Sequence, residues 1–191
     1  TPGLRLPLTA DAALFAQAVA LGRRIVWLHC QGERFADPTD GRPSGPPRLP
    51  DGERPQVPAG AAIPGDSAGM PDSLLYEAAS QTLHVGAGRI HPVPPAVWAY
   101  QVSGKQVLAQ WFGYRRKTRE KPPMGDRRPA SPLSTVQPEA WPASYTTDLL
   151  NLLNVLGLLV RLEPAAAELL ERICTGPCIA AGRLTPGQPA R

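Results

Sequence analysis

Cysteine is scarce and uneven in this chain: Cys30, Cys174 and Cys178 are all there are. An odd count gives no self-contained disulfide framework, and no second ligand pair stands beside Cys174 and Cys178 to complete a metal site. The thiols therefore read as reduced, in keeping with a cytosolic protein. Histidine is equally sparse, and His29, His84 and His91 stand at no metal-ligand spacing from any thiol. His29, at the end of an apolar seam, fits a partly buried, hydrogen-bonded residue better than a catalytic base. The sequence contains no GxSxG elbow, no HExxH and no phosphate-cradling GxxxxGK[ST]. "VGAGRI" (Val85 to Ile90) lacks a third glycine and a following helix, so it reads as a hairpin turn, not a dinucleotide loop. Asp37 and Asp40 fall in a Pro-rich loop and fit exposed turn chemistry. These absences argue against a catalytic site within the chain.

Long hydrophobic runs are missing as well. The strongest, Leu149 to Val160, is too short to span a bilayer and contains Asn151 and Asn154, which points to a soluble chain with no membrane partner. No initiator Met or targeting signal opens the sequence, and "TPGLRLPL" reads as continuing from something longer.

Proline and glycine are what the chain has in excess, 24 and 18 among 191 residues, beside an apolar fraction of 42% that is ample for a core. They concentrate between Pro38 and Pro71, where fifteen of 34 residues are Pro or Gly and no hydrophobic period is visible. That stretch reads as a long irregular excursion, with only "AAIP" (Ala61 to Pro64) able to add a short strand. Before it, Thr9 is placed to cap a helix with Asp11 in its first turn, and Leu14, Ala18, Leu21, Ile25 and Leu28 form a single seam that carries the helix to about His29.

After it, strands are expected at Leu74 to Glu77, at Thr82 to Val85 and around Arg89 to His91. A helical turn at "PPAVW" and a strand with a tight turn at Ser103-Gly104 follow. Val107 to Tyr114 fits a short helix with Val107, Leu108, Trp111 and Phe112 on one face. Two helices are expected to close the fold, Thr146 to Leu162 and Pro164 to Cys174, with Pro164 in the first turn of the second. The class is α+β: helices at both ends flank a small, mostly antiparallel sheet, with a long Pro/Gly-rich loop. One domain is expected over residues 1–180, including the irregular insertion 38–71, with a disordered tail at 181–191.

Net charge is only +4, but its placement is uneven. Between Lys105 and Arg128 there are eight cations, Lys105, Arg115, Arg116, Lys117, Arg119, Lys121, Arg127 and Arg128, against the acids Glu120 and Asp126. Phosphate is the partner that rewards such density, because each contact releases condensed counterions and the arginine fork can also read guanine. Trp111 is most simply a core anchor for the short helix. Arg115 continues the apolar face and so also fits a structural or backbone-capping role. Arg116, Lys117, Arg119 and Lys121 are the strongest candidates for DNA, with Arg127 and Arg128 weaker. The competing reading is a non-catalytic interaction module whose cations dock an acidic surface of a neighbouring domain.

"VWAYQVSGKQVLAQWFGYR" (Val97 to Arg115) resembles the Y-x-V-x-G-x-x-x-L-x-x-W-[LF]-x-x-R signature near the end of certain adenine-N6 DNA methyltransferases. Tyr100, Val102, Gly104, Leu108, Trp111, Phe112 and Arg115 fall on it. "LTADAALFAQAVALGRRIVWLH" (Leu8 to His29) resembles the helix that opens the same module. The whole resembles the C-terminal specificity, or target recognition, domain of Type ISP restriction–modification enzymes over roughly Leu4 to Ile179. This implies a cytoplasmic domain that reads double-stranded DNA while an adjoining methyltransferase domain, using S-adenosylmethionine, methylates adenine. The tetrapeptide and cofactor loop of that chemistry are absent; "GPPR" (Gly45 to Arg48) lacks the required first and last residues. No cofactor is therefore expected in this chain itself. The resemblance makes Tyr100, Gly104, Leu108, Trp111 and Phe112 scaffold and leaves recognition to neighbouring loops.

Overall fold

The computed structural model describes residues 6–117 and 138–183. It is α+β, with a helix near each end and a small antiparallel sheet between them. The described residues belong to two compact units, one formed by residues 1–46 with 161–191 and the other by 47–160.

In the first unit, α1 spans Ala12–His29. Its N-cap is Asp11, whose carboxylate accepts from the amides of Ala13 and Leu14, and not Thr9. Thr9 sits two residues before it, its hydroxyl accepting from the Asp11 amide. A carboxylate satisfies two orphan amides and complements the helix dipole, so it takes the cap in preference to the hydroxyl. The expected seam is real: Leu14 and Leu28 are buried, and Ala18 and Leu21 pack with Leu14 against Leu169 and Ile173. A single backbone bridge pairs Thr9 with Cys178.

Cys30 caps the C-terminal end of α1, and just past it the Gly32 amide donates back to the Trp27 carbonyl, with φ at +82°. A β-carbon there would overlap the Gly45 carbonyl oxygen, so only glycine fits. Beyond it, Arg42 is 5% exposed. It pairs with Asp37 and Asp40 and donates to the Phe35 carbonyl. Asp37 and Asp40 are therefore partners of a buried arginine and not merely exposed turn residues. The hydroxyl of Thr39 donates to Asp37 and is the main cause that holds its carboxyl below the usual carboxylate range.

The second unit is built on β1 (Leu74–Glu77), β2 (Thr82–Val85) and β3 (Gly88–Ile90), antiparallel in the order β1-β2-β3. Leu83, Val85 and Ile90 point to one face and are wholly buried. Against them lies the second half of the Pro/Gly-rich stretch. It is irregular, as its composition predicts, yet Pro47, Leu49, Ala61, Ile63, Met70 and Pro71 are core residues. "AAIP" forms no strand; Ala61 contributes one carbonyl to the Arg89 amide, while its own amide turns back to the Pro58 carbonyl and Pro64 has no donor to extend a ladder.

α2 (Pro95–Trp98) leads to β4 (Gln101–Val102) and β5 (Lys105–Gln106). Ser103 and Gly104 make the turn between those strands, both at positive φ. α3 (Val107–Gly113) follows.

The closing element is one helix, α4 (Ala143–Thr175), and not two. Pro164 lies inside it and is exposed. Proline removes one helical donor and crowds the carbonyl four residues back, but packing on both sides carries the helix through. In the second unit Leu149, Leu153, Val155, Leu156 and Leu159 are buried; in the first, Leu169 and Ile173. By length and composition α4 is the one helix among the described residues that could cross a membrane, but these side chains belong to the protein core. Its two asparagines are structural. Asn154, 1% exposed, accepts from the Leu49 amide at 2.8 Å and donates to the Leu150 carbonyl, while Asn151 accepts from Arg48. Gly157 lies under Leu49, and an added β-carbon would stand 2.7 Å from its Cδ1. Gly157→Ala is expected to destabilise the protein by about 1 kcal/mol, overpacking outweighing the gain in helix propensity. The urea midpoint should fall at unchanged m-value.

From the expected tail, residues 181–183 form a single 3-10 turn, and residues 184–191 lie outside the described part.

Candidate nucleic-acid interface

The short helix α3 is held by aromatic packing. Leu108 and Phe112 are buried at 1% and 4% exposure, while Trp111 is only partly covered. Two residues that sequence spacing does not associate with it complete the cluster. Trp141, 2% exposed, meets Trp111 edge-on at 6.2 Å and Phe112 at 6.2 Å; Tyr145, on the first turn of α4, lies 6.4 Å from Trp111 and 5.3 Å from Trp141. Such edge-to-face pairs add to the burial energy of the rings. The Trp141 indole N–H donates to the Thr146 hydroxyl. A second stack, Tyr76 on Trp98 at 5.2 Å, secures α2 to the sheet. The Tyr76 hydroxyl donates to the Val93 carbonyl, and burial pushes its pKa up.

Tyr100 and Gly104 shape the hairpin that precedes α3. The Tyr100 carbonyl accepts from the Val107 amide, which closes the β4–β5 hairpin onto the start of α3. Gly104, at φ +75°, supplies the turn.

The cations emerge from this frame. Arg115 lies over the Trp111 ring, its guanidinium carbon 4.1 Å from the ring centroid, and Nη1 donates to the Trp111 carbonyl at 3.0 Å. Arg116 is partly buried and Lys117 exposed; the Lys117 amide donates to the Pro71 carbonyl at 2.8 Å. Lys105 is exposed on β5, at the hairpin tip. Lys105, Arg115 and Lys117 take part in no ion pair among the described residues. Arg119, Lys121, Arg127 and Arg128 lie outside the described residues.

Sequence reading did not single out Arg89, exposed on β3 in register with His84 of β2, whose imidazole lies 3.8 Å from Glu77. A lone arginine in a strand of alternating burial carries no signal beyond exposure. No group of three or more His, Cys, Asp or Glu among the described residues could hold a metal ion.

The Type ISP C-terminal specificity domain family matches residues 1–152, most of the chain. The protein belongs to that family. No curated protein and no solved structure matches it. The Type ISP match takes in α1, the sheet, α3 and the start of α4, and so every described member of the aromatic cluster and every cation named above. It ends inside α4, short of the helix end at Thr175. As a Type ISP specificity domain the protein has a DNA target-recognition role within a restriction–modification enzyme, working with the other domains of that enzyme.

Proposed function

We propose that this domain holds a specific duplex sequence in place for adenine-N6 methylation by an adjoining, S-adenosylmethionine-dependent methyltransferase domain in the cytoplasm. The DNA contact runs through the basic segment that starts at the end of α3. The carrying observation is the aromatic mount: α3 is fixed at Trp111 and Phe112, and it is flanked by Lys105 and Lys117, which pair with no carboxylate among the described residues. Unneutralised cations beside a rigid element suit a polyanion, whose phosphates position the protein while base edges specify the sequence. Methyl transfer itself would be the work of the adjoining domain, since this chain has neither the catalytic tetrapeptide nor the cofactor loop.

The test is duplex binding at graded salt for the protein and for a variant with Arg116, Lys117, Arg119 and Lys121 changed to Ala. The slope of log K against log salt is expected to shrink by about 0.9 for each phosphate the variant no longer neutralises. An unchanged slope and affinity would remove those residues from the interface.

A further inference from the structure

Arg115 occupies the junction between the aromatic cluster and the cations that follow it. Its guanidinium carbon stands 4.1 Å from the Trp111 centroid and 5.4 Å from that of Tyr145, and Nη1 is bonded to the Trp111 carbonyl. Its Nε–H is shielded from solvent and has no hydrogen-bond partner among the described residues. Side-on recognition of phosphate or guanine needs Nε and a terminal nitrogen together. With Nε closed off, that fork is not on offer to DNA.

The backbone around it is equally committed. The amides of Arg115 and Arg116 both donate to the Phe112 carbonyl, at 2.8 and 2.9 Å, and the Lys117 amide donates to Pro71. Three successive amides are therefore tied, and the Arg115 side chain caps a carbonyl of the same final turn. A carbonyl in the last turn of a helix has no intrahelical donor, so removing its side-chain partner loosens the exit.

We propose that Arg115 is a positioning residue for DNA recognition: stacked on Trp111 and bonded to its carbonyl, it fixes the exit of α3 so that Arg116 and Lys117 reach the duplex in one arrangement. This rests on the DNA reading above. A loosened exit still carries the charge of Arg116 and Lys117, so attraction to the polyanion survives while the geometry that selects one sequence does not.

The experiment compares the intact protein with Arg115→Met and Arg115→Lys. Met keeps length and apolar contact with Trp111 and loses the charge and the donors; Lys keeps a cation over the ring and a donor. Each protein is titrated with a fixed, arbitrary duplex at graded salt and used to select from a randomised duplex library. For Arg115→Met the salt slope on the arbitrary duplex should match that of the wild type, while enrichment of the wild-type consensus falls about tenfold or more. Arg115→Lys should regain most of that enrichment. A slope smaller by about 0.9 in Arg115→Met would make Arg115 a direct phosphate ligand and overturn the proposal. Undiminished enrichment in Arg115→Met would overturn it as well, as would a deficit that Arg115→Lys fails to reduce. The wild-type arm judges the underlying reading separately: if that protein shows neither salt-dependent binding nor a consensus, the DNA reading itself fails.

Discussion

Trp141→Ala should lower the unfolding free energy by about 3–5 kcal/mol, the range for emptying a large aromatic side chain from a core. Trp141 is 2% exposed and touches all three other rings of its cluster, Trp111, Phe112 and Tyr145. The truncation removes transfer energy, the packing of three rings and the hydrogen bond to Thr146 at once. None of the three neighbours is free to collapse into the space: Phe112 belongs to α3, Tyr145 to α4, and Trp111 is held from above by Arg115. Since small domains are stable by only about 5–15 kcal/mol, the loss should be plain as a lowered urea midpoint. Trp141→Phe keeps most of the ring volume and loses the N–H donor, so about 1–2 kcal/mol is expected for it. If Trp141→Ala moved the midpoint no more than Trp141→Phe does, the aromatic cluster would not be what holds α3.

Asn154→Asp should be as damaging at neutral pH and much milder in acid. Asn154 is 1% exposed, accepts from the Leu49 amide at 2.8 Å and donates to the Leu150 carbonyl at 2.8 Å. An aspartate there keeps an acceptor for Leu49, but burial penalises its charged form and raises its pKa in the folded state. A group whose folded pKa is raised contributes its stability below the unfolded value, near 3.9 for Asp, and loses it as pH climbs through the folded value. The cost relative to the wild type should therefore grow between about pH 4 and pH 7, reaching about 3–5 kcal/mol for an uncompensated buried charge. Asn154→Leu provides the pH-independent comparison. It strands the Leu49 N–H and should cost about 1–3 kcal/mol at every pH. Denaturant melts at three pH values distinguish the two, and parallel losses for both variants would show that the site is wetter than its burial implies.

The parts of the fold that could be read in the sequence were those with a local period. The seam Leu14–Leu28 gives α1, alternation gives the strands, and Leu108 with Phe112 gives α3. The parts that could not be read depend on distant partners. Nothing near Leu49, Ile63 or Met70 announces that an irregular Pro/Gly-rich stretch is core, because its burial is set by the sheet and α4. Pro164 is a sound stop signal locally, yet long-range packing overrides it. Of the candidate interface, the run of cations is visible in the sequence as composition, and the place of Trp111 on α3 as spacing. The contribution of Trp141 and Tyr145, some thirty residues later in the chain, was not. Thr9 and Asp11 are both good cap residues, and only geometry decides between them.

The bond from Leu49 to Asn154 joins residues 105 apart in sequence, and that from Arg48 to Asn151 joins residues 103 apart. Closing so wide a loop carries a large entropic cost before any contact offsets it, which slows the search for the native topology. During synthesis the chain emerges from its N-terminus. The proline-rich segment must therefore wait on the ribosome, its amide at Leu49 still solvated, until the middle of α4 has left the exit tunnel. A transcript or protease cut that stops the chain ahead of Asn154 leaves a nascent product whose interior has no keystone.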